Sequence, residues 1–257
     1  MSVIEYIFLF TFLSSILSLI GGIVLMLWQK FAIRISHFLS AFAAGTLLGA
    51  AFLDLIPEAA EHAYEAGIEG EIFIWILVGI LFFFFLERFI RWFHQHEHPH
   101  KSKSDTHTIP LIILGDSMHN FIDGVVIAAT FTISIPLGIV TAIAVAAHEI
   151  PQEIGDFGVL LKKGMSASKA IILNVASALS SLLGATLFLL IGSNIENSVP
   201  YLLAITAGFF IYIALSDLVP EIQDQGHRKL AAIEITCMLL GIVLILIVTN
   251  LILGHGH

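Results

Sequence analysis

Eight runs of at least about 18 predominantly apolar residues follow one another along the chain. They lie near 3–28, 34–57, 72–93, 109–131, 137–161, 168–191, 200–221 and 230–252. A segment of this kind satisfies its backbone hydrogen bonds internally only as a helix, which is how a single run crosses hydrocarbon. The connections are short apart from 94–108, so the expected architecture is an all-α membrane protein of eight transmembrane helices. Residues 1–257 are expected to form a single transmembrane domain with a His-rich loop at 94–108. Hydrophobic residues make up 58% of the chain and charged ones only 12%, which excludes an ordinary soluble domain. Glu5 and the absence of a basic stretch before the first run argue against a cleaved secretory signal, so that run is expected to remain a helix.

The basic residues fix an expected orientation. Lys30 and Arg34 follow the first run, and Arg88, Arg91, Lys101 and Lys103 end or follow the third. Lys162, Lys163 and Lys169 separate the fifth from the sixth, and Arg228 and Lys229 the seventh from the eighth. All 11 basic residues therefore fall on one side of an eight-span chain. The positive-inside rule makes that side cytoplasmic and places both termini outside. With a formal charge of −9 and no basic patch, a nucleic-acid partner is excluded; the bilayer is the expected surroundings.

The sequence also repeats. Ala44-Gly45 precedes Asp54-Leu55-Ile56-Pro57-Glu58, and Ala207-Gly208 precedes Asp217-Leu218-Val219-Pro220-Glu221, an offset of 163 residues (54 to 217). Ser14, Ser18 and Gly21 match Ser177, Ser181 and Gly184 at the same offset. Helices 1–3 thus correspond to helices 6–8, and because span two runs outward and span seven inward, the repeat is inverted around helices 4 and 5. Inverted repeats are a transporter signature, with the binding site at mid-membrane. Asp54 and Asp217 read either as caps of the turns before Pro57 and Pro220 or as stations on an ion path.

Helices 4 and 5 hold the chemistry. His119-Asn120-Phe121-Ile122-Asp123 and His148-Glu149-Ile150-Pro151-Gln152-Glu153 put ionisable groups inside apolar runs with no Lys or Arg nearby. Each such group costs several kcal/mol in hydrocarbon and needs a partner. Residues i and i+4 share a helix face, so His119 stands over Asp123 and His148 over Gln152. Asp116, Asn120 and Asp123 form one stripe, and Glu149, Glu153 and Asp156 another. Two antiparallel helices would bring Asp123 near the depth of His148 and His119 near Gln152, with Asp116 and Asp156 toward the cytoplasm. Pro151 frees the Ala147 carbonyl and predicts a kink.

Imidazole, carboxylate and amide donors suit a divalent cation, Zn²⁺ first, with Cd²⁺, Fe²⁺ and Mn²⁺ as alternatives. The single Cys237 excludes a disulfide framework and a thiolate-rich site, and no organic cofactor is expected. The candidate metal residues are His119, Asn120, Asp123, His148, Glu149, Gln152, Glu153, Asp116 and Asp156. Asn120 taken alone reads equally as a helix–helix hydrogen bonder, and Asp116 and Asp156 as hydrated residues of an inner vestibule. His94, His96, His98, His100 and His107 suggest a loop that captures metal weakly, and Glu58, Glu61, His62 and Glu65 an acidic outer mouth. A different class, an intramembrane metal-dependent hydrolase, shares the His-Glu start of the H-E-x-x-H protease motif. It lacks the second His, which is Gln152, and has no use for an inverted repeat.

With these motifs in hand, the chain resembles the ZIP (Zrt/Irt-like protein) family of metal-ion transporters over essentially its whole length. The resemblance rests on eight spans with outward termini, the His-rich loop, H-N-x-x-D-G at 119–124 and H-E-I-P-Q-E-I-G-D at 148–156. The last is similar to the H-E-x-P-H-E-x-G-D signature of one subfamily. The resemblance implies uptake of zinc or a related divalent ion toward the cytoplasm without ATP, and a binuclear site between spans four and five. His119, Asp123, His148 and Gln152 would form the main position; Asn120, Asp123, Glu149 and Gln152 would contribute to the second. Gln152 departs from the subfamily, which has His there. Span six reads Asn174, Ser177, Ser180 and Ser181, with no acid where some relatives supply a glutamate. His148 stands where iron and manganese carriers of the subfamily often place Glu, which favours zinc. A homodimer is the candidate assembly and the plasma (cytoplasmic) membrane the expected location.

Overall fold

Segments that are apolar on every face must be surrounded by protein or lipid, and each of the eight runs is a helix that meets this condition. The computed structural model describes residues 1–68, 70–96, 109–191, 198–224 and 231–252. The order is α1 (Val3–Leu27), α2 (Gln29–Ala50), a π-helical turn (Ala51–Leu55), α3 (Ile56–Ala66), α4 (Ile72–His96), α5 (Ile109–Ile133) and α6 (Ile135–Lys162). There follow α7 (Ala167–Ile191), α8 (Val199–Ile213), a second π-helical turn (Ala214–Leu218), α9 (Val219–Asp224) and α10 (Ala231–Ile252). Eight of these stretches are long and apolar enough to cross a membrane. Ser2 and Glu5 start α1 with a capping box, and Ser134 caps α6 through the Leu137 amide. Phe73, Leu190 and Leu251 are more than two-thirds exposed, as expected where the surrounding medium is hydrocarbon.

Three boundaries differ from the expectation. The second span does not end at Pro57 but continues to Ala66, where Gly67 closes it with a φ of 71°. Beyond Pro57 the residues turn amphipathic, so a count of apolar residues stops while the helix goes on. Pro57 sits in the first turn of α3, directly after the π-helical turn. The seventh span likewise runs on to Asp224. Pro151 lies inside α6, which continues through it to Lys162. The His-rich loop has its first three residues, His94 to His96, in α4; 97–108 lie outside the described residues.

The two π-helical turns begin at Ala51 and Ala214, and Asp54 and Asp217 are the fourth residue of each. The extra residue of a π turn shifts the facing of the helix beyond it, and such turns concentrate at functional positions. Asp54 does not cap a helix. Its carboxylate accepts the Thr249 hydroxyl of α10, at 2.9 and 3.0 Å to its two oxygens.

Packing divides the helices into two groups. α5 lies along α7 and α1 along α6, with α5–α6 and α1–α7 completing one set; α2 lies along α10 and α4 along α8 in the other. The sets meet chiefly along α2 and α6. Helices 4 and 5 of the sequence analysis (α5 and α6) are therefore packed with spans one and six. Glycines allow the closest approaches: a Cβ on Gly124 would overlap the Ser181 carbonyl, and one on Gly184 the Phe121 carbonyl. In the other set Gly45 faces Met238 and Gly208 faces Ile76 in the same way.

Candidate metal centre

The candidate ligand atoms converge where α5 and α6 run side by side. His119 Nε2 lies 3.1 Å from His148 Nε2 and 3.5 Å from Glu149 Oε1. Asp123 Oδ2 lies 3.7 Å from His119 Nε2 and 3.4 Å from His148 Nε2, and Glu149 Oε1 3.9 Å from the latter. A tetrahedral zinc with bonds of about 2.0–2.1 Å spaces its ligand atoms about 3.3 Å apart. Five edges of 3.1–3.9 Å are thus close to a tetrahedron that needs little contraction. His119, Asp123, His148 and Glu149 are, among the described residues, the group with metal-holding geometry.

Their chemistry matches the geometry. His148 Nδ1 lies 3.1 Å from the Ala144 carbonyl oxygen. A carbonyl can only accept, so Nδ1 carries the proton and Nε2 of the neutral ring offers a lone pair to the centre. Asp123 Oδ2 and both Glu149 oxygens are buried without a hydrogen-bond partner. No Lys or Arg is buried among the described residues. Buried carboxylates in that condition are costly, and a divalent cation removes the cost. His148 has no exposed surface and Glu149, Asp123 and His119 are nearly as enclosed. Phe83 of α4 sets its ring on His119 at 5.6 Å, and Phe210 of α8 lies 6.4 Å from His148. The other helix group therefore walls the centre with aromatic rings.

The remaining candidates surround this group. Asn120 is buried and donates its amide to Asp116, at 3.0 Å to Oδ1 and 3.2 Å to the backbone oxygen. Gln152 is half-buried one turn beyond His148, and Asp156 is half-buried further along α6. Glu153 is buried and accepts a hydrogen bond from Asn174 of α7. The expected pairing of Asp123 with His148 is present, while His119 reaches His148 and Glu149. On α3, His62 sits between Glu58 at 3.6 Å and Glu65 at 3.8 Å. Phe83, Phe210 and the Asn174–Glu153 bond escaped the sequence reading. Contacts between distant helices leave no local pattern, though Asn174, polar in an apolar run, was a hint.

The chain matches the family described as ZIP zinc transporter over residues 3–111 and 110–249. That covers nearly all of it. The chain belongs to the ZIP zinc transporter family. It is 43% identical over 122 residues to zinc transporter ZIP10 of Danio rerio, covering 46% of this chain and 14% of that protein. It is 32% identical over 214 residues to zinc transporter ZIP13 of Pongo abelii, covering 77% of this chain and 63% of that one. The metal cation symporter ZIP14 of Xenopus tropicalis is 38% identical over 156 residues, 57% of this chain and 33% of its own length. This ZIP chain therefore spans a small part of some relatives and under two-thirds of the others. A member of this family with eight helices long and apolar enough to cross a membrane among the described residues, it is an integral, multi-pass membrane protein.

Proposed function

We propose that this ZIP protein carries zinc across the membrane toward the cytoplasm, without ATP, through the centre on α5 and α6. The observation that carries the reading is the buried group of two imidazoles and two carboxylates, with no Lys or Arg buried among the described residues. Zinc is the first choice of cargo because two imidazoles with oxygen donors suit a borderline ion; Cd²⁺, Fe²⁺ and Mn²⁺ are competitors. The ion arrives past the acidic face of α3 and binds His119, Asp123, His148 and Glu149. It leaves by Glu153, Asp116 and Asp156, with Asn120 and Gln152 beside the route. Exchange between the two sides requires the group holding the ligands to shift against the group that supplies Phe83 and Phe210. The bland fit of a catalytic zinc is poorer: four protein ligands fill a tetrahedron and leave no open position for an attacking water.

The test is uptake in proteoliposomes with an internal zinc dye and competition by Cd²⁺, Fe²⁺ and Mn²⁺. Saturable zinc entry, competed best by Cd²⁺, is the expected result; peptide or lipid cleavage without uptake rejects the carrier reading.

The matched offsets of the two π turns support the repeat, and the placement of the basic residues favours its inversion with both termini outside. Once Cys237 is replaced, cysteines at Asp54 and Asp217 are expected to react with impermeant reagent from opposite sides, the first from outside. Labelling of both from one side contradicts the inverted arrangement.

A further inference from the structure

Asn174 lies on α7, in neither of the helices that supply the four ligands, and is 4% exposed. Its amide nitrogen donates to Glu153 Oε2. Glu153 is 1% exposed, and its other oxygen, Oε1, is buried without a partner. Glu149 and Glu153 are four residues apart on α6, so their carboxylates share a face about one 5.4 Å turn apart. Both oxygens of Glu149 also lack a hydrogen-bond partner. The sequence thus stacks two buried carboxylates with unpartnered oxygens along one face, the first in the candidate metal centre and the second one turn beyond it.

We infer that Asn174 is the positioning residue for metal release: it pins Glu153 Oε2 so that Glu153 Oε1 stands ready to take the ion from the His119–His148 centre. The inference rests on the transport reading. The physical case begins with the amide. An NH₂ group can only donate, so it holds a carboxylate oxygen without competing for the cation, and a hydrogen bond to a carboxylate is among the stronger kinds. Unpinned, the long Glu153 side chain would populate several rotamers and aim Oε1 only part of the time. A handover from imidazole nitrogen to carboxylate oxygen also runs toward weaker ligation of a borderline ion, the direction release needs. Asn120 holds Asp116 in the same manner on α5, so each ligand helix has an amide fixing an acid beside the centre.

The experiment compares wild type, Asn174→Leu, Glu153→Gln and the double variant in proteoliposomes. Maximal zinc uptake is measured beside equilibrium zinc binding to the same preparations. Leu has the branched shape of Asn, with a larger volume, and suits a membrane helix, and gel filtration in detergent shows whether the variant is folded; Asn174→Gln, which retains the donor, should recover part of the rate. Asn174→Leu is expected to cut maximal uptake about tenfold, the lower end for loss of an outer partner at a metal site. Binding affinity should change less than about twofold, since no ligand of the centre is lost. The double variant should be no slower than Glu153→Gln, because Asn174 acts through Glu153. Multiplying effects in the double variant, an affinity loss equal to the rate loss, or unchanged uptake in Asn174→Leu would each overturn the inference while leaving transport intact. Absence of uptake in the wild type would reject both.

Discussion

Replacing His148 by Ala is expected to abolish saturable zinc uptake while leaving the protein folded. His148 supplies a lone pair from a ring whose orientation is set by the Ala144 carbonyl, and its Nε2 lies within 4 Å of all three other ligand atoms. Loss of a mere outer-shell partner at a metal site costs roughly 10–100-fold, and loss of a direct ligand exceeds that. Asp123→Ala should behave the same way, because Asp123 Oδ2 faces both imidazoles. Neither change introduces a clash, so monodisperse protein should be recovered from detergent. Near-normal uptake by either variant would mean that the ion crosses elsewhere.

The second large effect falls on the scaffold. Gly124→Val should prevent assembly of the helix group that carries the ligands, because its Cβ would overlap the Ser181 carbonyl oxygen of α7. Backbone against backbone cannot yield by a rotamer change, so the cost is expected at about 3 kcal/mol or more, the upper end for overpacking. Thermal unfolding in detergent should show a large drop or no folded species. Gly155→Ala is the matched control: a Cβ there meets nothing within 4 Å. An alanine in a helix interior gains about 0.5–1 kcal/mol over glycine, so the control should be neutral or slightly more stable. An unaltered transition for Gly124→Val would show that α5 and α7 do not pack this closely.

Much of this was legible because membrane helices obey simple rules. Uninterrupted apolar runs forced eight helices, and His119, Asp123, His148 and Glu149 stood out as ionisable groups with no cation nearby. Helical periodicity put each pair on one face, and the antiparallel course of α5 and α6 brought Asp123 to His148. What the sequence hid was set by contacts across the molecule. The close packing of α7 on α5 depends on Gly124 and Gly184 meeting backbone carbonyls, which composition does not reveal. The π turns at Ala51–Leu55 and Ala214–Leu218 arise within apolar stretches that read as ordinary helix. Glu149 joins the histidines through the crossing of two helices rather than through spacing along one.

Zinc K-edge X-ray absorption on the zinc-loaded protein tests the central claim most directly, because it reads the ligands of the ion itself. The account predicts four nitrogen and oxygen ligands at about 2.0 Å with the multiple-scattering signature of two imidazoles, lost in part in His148→Ala. A spectrum with sulfur ligands, or with oxygen alone and no imidazole, would contradict it.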